Sequence, residues 1–415
     1  MTSSNKLALF NICFALLVVS CSEGSTSENQ SNSDKAEVTA PAKAEPASQT
    51  PDVAKETQEI TPCTEVFLTG TGGGPAAVFG NAQSGVFIRS GHSGNGCNSE
   101  RLQFDAGRGT LLKLSLVPAP ARPGFVTPPS LTALFLTHGH SDHTMTVPDI
   151  LETRWVMSKN DGQFPDLKPP KPPYKPFPVI CFEDTCEVVE KALVPWEGEI
   201  QSRATNDVRS TDPSADMRKF NGSTTPVVVW DSGEAKVSAV SVDHIAGSVG
   251  FLIETAAGDV CISGDTSFSP NFKAMCQDAE VIIHEVIHPV LDGVAEKLPS
   301  PDATFSGVMK KIYDSHTPTD DFDEFSDLDS VMVLTHIIPP IGAGGFQGIP
   351  LIPHLNRMDA NRQPGPMNAN DYCSSIRKAG YGGDLHVGRD LMKISLKANT
   401  VTTHHPNEKI ETKCN

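Results

Sequence analysis

Three histidines and one aspartate fall within the six residues from His138 to His143. They follow a short apolar segment, residues 133–136, that is typical of a buried strand. Alternate residues leaving a strand project to one side, so His138 and His140 can share one ion. Asp142 and His143 lie where the chain turns into a helix, and they can reach a second ion nearby. Because imidazole and carboxylate groups suit zinc, iron or manganese, the run predicts a metal centre rather than a solvated polar turn.

Two ions need more ligands than this run supplies, and candidates of the right type recur after other apolar segments. His244 follows an apolar run that ends at residue 242, and Asp265 follows one that ends at residue 263. His336 follows Val-Leu-Thr, which echoes the Phe-Leu-Thr sequence before His138. Since these residues come from separate segments, the sequence predicts a site assembled where several strands end.

The segments that must position these residues alternate between strand and helix patterns. A helix is predicted over residues 145–157, directly after the histidine run. Two runs of strands interleaved with helices favour an α/β fold built as a layered sandwich over one doubly wound sheet. The predicted strands are residues 64–68, 84–90, 101–107, 133–136, 227–230, 236–242, 250–254, 259–263, 281–284 and 330–334.

The N-terminal segment, residues 1–21, predicts export. It combines an early lysine with an apolar run that is too short to span a membrane and that ends at Cys21. The sequence Val-Val-Ser-Cys resembles a bacterial lipoprotein box, so we expect Cys21 to carry lipid. The protein would then be anchored in the outer membrane, facing the periplasm. A soluble periplasmic or secreted protein is the alternative.

Composition divides the rest of the chain. Residues 22–62 are rich in Ser, Thr, Glu, Ala and Pro, and they predict a disordered tether because they carry too little apolar surface to fold. Residues 63–398 predict one folded domain, interrupted by a proline-rich insertion at residues 159–178. Residues 399–415 are assigned to a C-terminal tail.

Charge bears on the partner. The formal net charge is −17, and no long run of lysine or arginine occurs. Nucleic-acid binders usually carry a basic stripe that neutralises phosphates, so a nucleic acid is not the expected partner. Binding of a nucleic acid through a local basic patch is not excluded. We expect a small or extended ester substrate instead.

The cysteines bear on the compartment. The chain has 10, of which Cys13 leaves with the signal and Cys21 would carry lipid. The other eight permit disulfides in an oxidising compartment, and Cys181 and Cys186 are close enough in sequence to bridge locally. The remaining pairings cannot be deduced. Because no CxxC motif or Cys-His cluster occurs, a structural zinc finger is not expected.

The HxHxDH run and its partners resemble the metallo-β-lactamase superfamily. Within it the chain is most similar to the RNase Z-like branch, which also contains arylsulfatase-type enzymes. The resemblance runs from about Glu65 to Leu396, and its landmarks are residues 104–110, 263–266, 283–285, 334–336 and 387–392. It implies a four-layer αββα sandwich and a possible homodimer.

The resemblance also assigns roles to the candidate ligands. It implies two divalent ions, zinc in the first place with manganese or iron as alternatives. The first ion would be held by His138, His140 and His244, the second by Asp142, His143 and His336, with Asp265 bridging them. It further implies that His316 is catalytic and that Glu285 orients a nearby histidine. We expect Asp142 to orient the attacking oxygen and His316 to protonate the leaving group.

These features predict a binuclear hydrolase of phosphodiester or sulfate ester bonds, in which a metal-bridging hydroxide attacks the ester. Arg108 stands where RNase Z sequences usually carry an acidic residue, which favours the arylsulfatase-like side of the branch. The alternatives are a tRNA 3′-processing endoribonuclease and a periplasmic cyclic-nucleotide phosphodiesterase. An alternative of another class is a catalytically inactive, lipid-anchored binding protein.

The other histidines lack such motifs. His284 and His288 each have two interpretations of equal weight: they belong to the site, or they are ordinary strand-end residues. The rest are assigned to the surface or to loops: His92, His354, His386, His404 and His405.

Overall fold

Two β-sheets organise the part of the chain that the computed structural model describes. The described residues are 60–74, 80–120, 124–157, 176–206, 215–295, 303–346, 349–397 and 400–415. The predicted signal segment, the lipidation site Cys21, the tether up to residue 59 and residues 159–175 of the proline-rich insertion lie outside them. The signal segment, the lipidation of Cys21, the tether and the insertion remain predictions.

The first sheet joins strands from both ends of the described chain. Its order is β17-β16-β1-β2-β3-β4-β5-β6, and β3 to β6 run parallel. The strands are β1 (Pro62–Gly70), β2 (Gly85–His92), β3 (Glu100–Phe104), β4 (Ala133–Phe135), β5 (Phe177–Phe182), β6 (Ala215–Phe220), β16 (Lys393–Lys397) and β17 (Thr400–His404).

The second sheet has the order β15-β12-β11-β10-β9-β8-β7, with β10, β11, β12 and β15 parallel. Its strands are β7 (Val227–Asp231), β8 (Ala235–Ser241), β9 (Val249–Thr255), β10 (Gly258–Ile262), β11 (Val281–Ile287), β12 (Val331–Ile338) and β15 (Leu385–Val387). A separate short hairpin joins β13 (Gly345–Phe346) to β14 (Ile349–Pro350).

Helices occupy the connections between strands. Within the described ranges they are α1 (Thr110–Leu114), α2 (Ser141–Thr144), α3 (Val147–Met157), α4 (Glu183–Ala192), α5 (Glu197–Asn206), α6 (Pro270–Met275), α7 (Val290–Ala295), α8 (Ala303–Asp314), α9 (Ile352–Met358) and α10 (Ala369–Ala379). The predicted helix at residues 145–157 is therefore preceded by a separate helical turn, α2. Among these described helices, none has the length and apolar character needed to cross a membrane.

Alternation along the strands creates the layers. In β12, Val333 packs between the two sheets, whereas Met332 and Leu334 face the helices on the other side. The first sheet behaves likewise, since Val66 points to the space between the sheets and Phe67 to the outer helices. Side chains in a strand alternate between faces, so each sheet contributes to one shared core and one outer core. The predicted αββα sandwich is confirmed.

Disulfides link elements within this sandwich. The local bridge expected between Cys181 and Cys186 is present. Three pairs that the sequence left open are Cys63–Cys97, Cys261–Cys276 and Cys373–Cys414. The last pair ties the C-terminus to α10.

The folded sheet extends beyond the limits drawn from composition. Residues 400–404 form β17, which pairs antiparallel with β16, so the segment from residue 399 onward is not simply a tail. At the other boundaries, β1 already begins at Pro62, and Phe177 and Pro178 lie in β5 rather than in the insertion. Backbone pairing recruits these residues although their side chains show little apolar periodicity.

Candidate metal centre

All seven predicted metal ligands lie together, and each follows or occupies a strand of the sandwich. Four come from the segment that leaves β4 and forms α2. His244 follows β8, Asp265 follows β10 and His336 lies in β12. The carboxyl ends of these strands meet at one edge of the two sheets, which brings together residues far apart in sequence.

One group of candidate ligands consists of His138, His140, His244 and Asp265, whose ligand atoms all lie within 4.8 Å of one another. His140 Nδ1 and His244 Nε2 are 3.1 Å apart. His244 Nδ1 donates to the carbonyl of Ser315 at 2.8 Å, which leaves Nε2 without a proton in the neutral ring. Two imidazole nitrogens at this distance are suited to share a cation.

A second group consists of Asp142, His143, His336 and the same Asp265. His336 Nε2 lies 3.1 Å from Asp142 Oδ2 and 3.2 Å from Asp265 Oδ2. His143 Nε2 lies 3.2 Å from Asp265 Oδ1. Asp265 is thus the carboxylate common to both groups.

Burial and charge set the protonation of these groups. Burial lowers the pKa of His138 well below its usual value and that of His244 to about 4, so both rings are neutral. Burial alone would raise the pKa of Asp265, but His143, His336 and His138 lower it well below its usual value. Burial would also raise the pKa of Asp142, and His143 and His336 lower it. Both carboxylates are therefore ionised.

The donor set fits divalent metal ions. His138 and His244 as neutral imidazoles, and Asp142 and Asp265 as carboxylates, are in the protonation states in which these side chains bind metals. Burial would lower the pKa of His143, but Asp265 and Asp105 raise it well above its usual value. Among the described residues, His138 Nε2, His143 Nε2 and Asp265 Oδ1 are buried without a hydrogen-bond partner. Buried polar atoms are rarely left unpaired, because the loss of water then goes uncompensated. A cation between the two groups would satisfy all three atoms.

The backbone of β12 departs from the expected strand end at His336. The strand continues to Ile338, and its pairing with β11 shifts between Glu285 and Val286, which leaves His336 as the extra residue of a bulge. Its φ is 40°, in the left-handed region that side chains other than glycine seldom adopt. Because a bulge re-aims a side chain, His336 reaches the centre from within the strand.

Asp105 holds the ring of His143 in place. Its Oδ2 accepts a hydrogen bond from His143 Nδ1 at 2.7 Å, which turns Nε2 of that ring toward Asp265. Its Oδ1 accepts from the backbone N–H of Thr137 at 2.8 Å. A carboxylate behind a ligating histidine fixes the ring's orientation and raises its basicity. Asp105 thus supports the candidate ligands through His143 and Thr137.

His316 faces the centre from the segment that follows α8. Its Nδ1 donates to the carbonyl of Ile312 at 2.6 Å, and its Nε2 lies 3.4 Å from Asp265 Oδ2. Burial alone would lower the pKa of His316, but the carboxylates of Glu285 and Asp265 raise it to about 9. Nε2 therefore carries a proton and points toward the ligands.

Glu285 binds two backbone N–H groups, and its carboxylate also lies within 4.8 Å of the ring nitrogens of His316 and His336. Its Oε1 accepts hydrogen bonds from the N–H of Thr317 at 2.8 Å and from the N–H of Thr266 at 3.2 Å. These two residues directly follow His316 and Asp265. Burial raises the pKa of Glu285 to about 8, although the neighbouring His316 lowers it. Glu285 thus holds the backbone that follows Asp265 and His316, and its expected role of orienting a nearby histidine remains a prediction.

Two other histidines have structural places. The ring of His284 is buried among Phe272, Phe322 and Phe325, and its Nδ1 donates to the backbone carbonyl of Glu285 at 2.7 Å. His288 is buried against Tyr372 and accepts from the N–H of Val290 at 3.1 Å. Neither belongs to the groups of candidate ligands.

The assignment of five histidines to the surface or loops is wrong for His386. This residue is buried in β15, 3.4 Å from Asp384. His92 and His404 also lie in strands, β2 and β17 respectively. His354 lies in α9, and His405 follows β17.

Two residues that support the site escaped sequence reasoning. Thr137 hydrogen-bonds Asp105 through both its N–H and its hydroxyl. Gly107 lies so close to α2 that a Cβ there would stand 2.1 Å from the carbonyl oxygen of Asp142. Residues 105–107 lie within a landmark of the resemblance, residues 104–110. The close approach of Gly107 to the backbone of α2 leaves no separate signal in the sequence.

Comparisons with known proteins agree with this geometry. A beta-lactamase superfamily domain model matches residues 100–289. Ribonuclease Z of Mycolicibacterium gilvum (strain PYR-GCK) is 29% identical over 285 residues, covering 68% of this chain and 86% of that protein. Ribonuclease Z of Mycobacterium bovis (strain BCG / Pasteur 1173P2) is 26% identical over the same length, covering 68% and 88%. The metallo-beta-lactamase fold protein YhfI from Bacillus subtilis aligns over 80% of this chain and 99% of its own, with a TM-score of 0.50 and 14% identity.

Proposed function

The chain belongs to the metallo-β-lactamase superfamily and is RNase Z-like, and on that premise we propose that it is a metal-dependent hydrolase of phosphodiester bonds. The observation that carries the proposal is the pair of ligand groups joined by Asp265. A catalytically inactive binding protein on this fold would not need to keep every ligand position filled. The names of the relatives supply the bond type, since each is a Ribonuclease Z.

The residues suggest how such a bond is cleaved. When bound, divalent ions at these ligands would supply Lewis-acid chemistry, an acidified water and a polarised phosphoryl oxygen. Asp142 is ionised and lies 3.1 Å from His336, so it can orient the attacking oxygen as well as bind metal. His316 presents a protonated Nε2 on the opposite side and can donate that proton to the leaving oxygen. General acid catalysis of this kind typically contributes about 10²–10⁴-fold.

Cleavage of RNA, including tRNA 3′ processing, is the second candidate function. The names of the relatives favour it, against the expectation drawn from the net charge of −17. Sulfate esters and cyclic nucleotides are the narrower alternatives that the sequence left open. Zinc is the first metal to test, with manganese and iron next.

A substrate panel tests the proposal. Protein loaded in turn with zinc, manganese or iron would be given bis(nitrophenyl) phosphate, nitrophenyl sulfate, cyclic AMP and a tRNA precursor. We expect cleavage of bis(nitrophenyl) phosphate, and Asp142→Ala and His336→Ala should each abolish it. Asp327→Asn is the matched control, because Asp327 is exposed and pairs with Lys273 away from the ligands. A purified protein that binds no transition metal, or near-normal turnover in either ligand variant, would refute the mechanism.

We also propose that the protein is exported and lipid-anchored through Cys21. The four disulfides support an oxidising compartment, since such bonds are rare in the cytosol. Cys21→Ser should change the electrophoretic mobility of the mature protein and release it from the membrane fraction. Membrane fractionation that does not change in this variant would exclude the anchor.

A further inference from the structure

A groove of about 710 Å³ opens beside the metal centre, between the loop that carries the histidine run and the helices α3 and α4. One wall is formed by Gly139, Ser141 and Met145, and the other by Val188 and Trp196. Trp196 lies in the helical turn that joins α4 to α5. The groove plays no part in the mechanism above.

The groove adjoins the accessible side of the centre. Gly139 and Ser141 flank His140, which is the exposed member of the first ligand group. Because consecutive Cα atoms are about 3.8 Å apart, the groove begins within one residue of a metal ligand. A substituent on a phosphorus atom held at the centre can therefore extend into it.

The lining selects for apolar chemistry. Met145, Val188 and Trp196 are 49%, 41% and 46% exposed, which is unusual for large apolar side chains that sit close together. Exposed apolar groups that line a concave surface mark ligand sites. A tryptophan face in particular suits a flat ring.

Charge excludes a second phosphate from the same place. Among the described residues that line the groove, the charged ones are Asp149 and Glu152, and both are carboxylates. Arg203 lies 3.9 Å from Glu152 and offsets that charge, and Asp149 adds a second carboxylate to the lining. A phosphate chain would be repelled here, and an uncharged ring would not.

We propose that the groove is a specificity subsite that binds an uncharged aromatic substituent of the substrate, stacked on Trp196. The inference deepens the proposed function, on which it rests, by naming the group attached to the scissile phosphate. That group is an aromatic ring, whether the aryl part of a small ester or a nucleobase of RNA.

Matched pairs of phosphorus ligands test the subsite without any turnover. Phenylphosphonate and methylphosphonate differ only in the ring, and uridine 5′-monophosphate and ribose 5-phosphate differ only in the base. Binding to zinc-loaded protein would be measured by calorimetry. We expect the ring to improve affinity about tenfold in at least one pair, because stacking on an aromatic side chain contributes at this scale. The pair that shows the gain identifies the source of the ring.

Trp196→Ala should remove the gain while leaving the affinity for the ringless ligand unchanged. Val188 is a second exposed residue of the groove and lies on α4, and Val188→Arg should independently reduce the affinity gained from the ring. Leu112→Ala is the control, since Leu112 is 73% exposed on α1 and does not line the groove. Equal affinity for both members of each pair, or a gain that survives Trp196→Ala, overturns the subsite, as does absence of binding by all four ligands.

The substrate panel separates the two proposals. Hydrolysis of phosphodiesters without any ring-dependent affinity would overturn the subsite and leave the proposed function in place. Ring-dependent binding by a protein that hydrolyses none of the panel would support the subsite and refute the function.

Discussion

Replacing Asp105 should weaken the metal centre without removing any predicted ligand. The carboxylate of Asp105 accepts hydrogen bonds from His143 Nδ1 at 2.7 Å and from the N–H of Thr137 at 2.8 Å. Both donors are fully buried, so neither can turn to water when the acceptor is lost. The side chain of His143 would also lose the contact that aims its Nε2 at Asp265.

The size of the effect follows from these two contacts. Each buried donor left without an acceptor costs about 1–3 kcal/mol, so Asp105→Ala should lower the free energy of unfolding by roughly 4 kcal/mol. Asp105→Asn keeps one carbonyl oxygen and can satisfy one of the two donors, so about half that loss is expected. Removing the partner of a ligating histidine typically lowers metal affinity about 10- to 100-fold, and we expect this for both variants.

Two measurements on each variant test this reasoning. Urea unfolding of the metal-free protein gives stability, and competition with a chromophoric chelator gives zinc affinity. Asp390→Asn is the matched control, because Asp390 is also buried and accepts from the N–H of Thr71 at 3.0 Å and of Ala82 at 2.7 Å. It should lose stability but keep zinc affinity within about twofold. Wild-type zinc affinity in Asp105→Asn, or equal zinc losses in Asp105→Asn and Asp390→Asn, would refute the role of Asp105.

Three further predictions address the proton donor, the backbone and the surface charge. His316→Ala should slow alkyl phosphodiesters by about 10²–10⁴-fold but nitrophenyl esters far less, and equal losses would remove its general-acid role. Gly107→Ala places a Cβ 2.1 Å from the carbonyl oxygen of Asp142, so melting temperature and zinc affinity should both fall, and an unchanged melting curve would contradict the packing. Burial and the carboxylates of Glu280 and Glu254 raise the pKa of Asp259 to about 6. The folded chain therefore binds more protons than the unfolded chain between roughly pH 4 and 6. Because of this difference, the free energy of unfolding falls as pH rises through that range. Asp259→Asn should therefore stabilise the protein by about 1 kcal/mol at pH 8, after allowance for solvent screening, and leave it unchanged at pH 4 in urea unfolding.

The strands that carry the site were predictable because their apolar residues alternate or run continuously. The segment predicted at residues 236–242 is β8 (Ala235–Ser241), and that at residues 250–254 lies within β9 (Val249–Thr255). β17 (Thr400–His404) was missed because its sequence, TVTTH, carries one apolar residue, and only its pairing with β16 makes it a strand. Long-range pairing of this kind leaves no local pattern to detect.

The cysteine pairs illustrate the same limit. Cys181 and Cys186 are five residues apart, so their bridge could be expected from spacing alone. Cys373 and Cys414 are 41 residues apart and meet because the C-terminus returns to α10. That return depends on the order of the strands in the second sheet, and no local sequence pattern predicts this order.

The candidate ligands could be recognised because metal chemistry restricts their residue types, whereas the groups that hold them in place act through backbone atoms. Glu285 shows the difference. The sequence predicts that it orients a histidine, and the structure adds that its carboxylate binds the N–H groups that follow Asp265 and His316. One side chain thus sets the spacing between the carboxylate shared by both ligand groups and the proposed proton donor. Because any residue presents the same backbone N–H, sequence cannot reveal such a contact, and only the fold of the second sheet, which brings β10, β11 and the segment after α8 together, creates it.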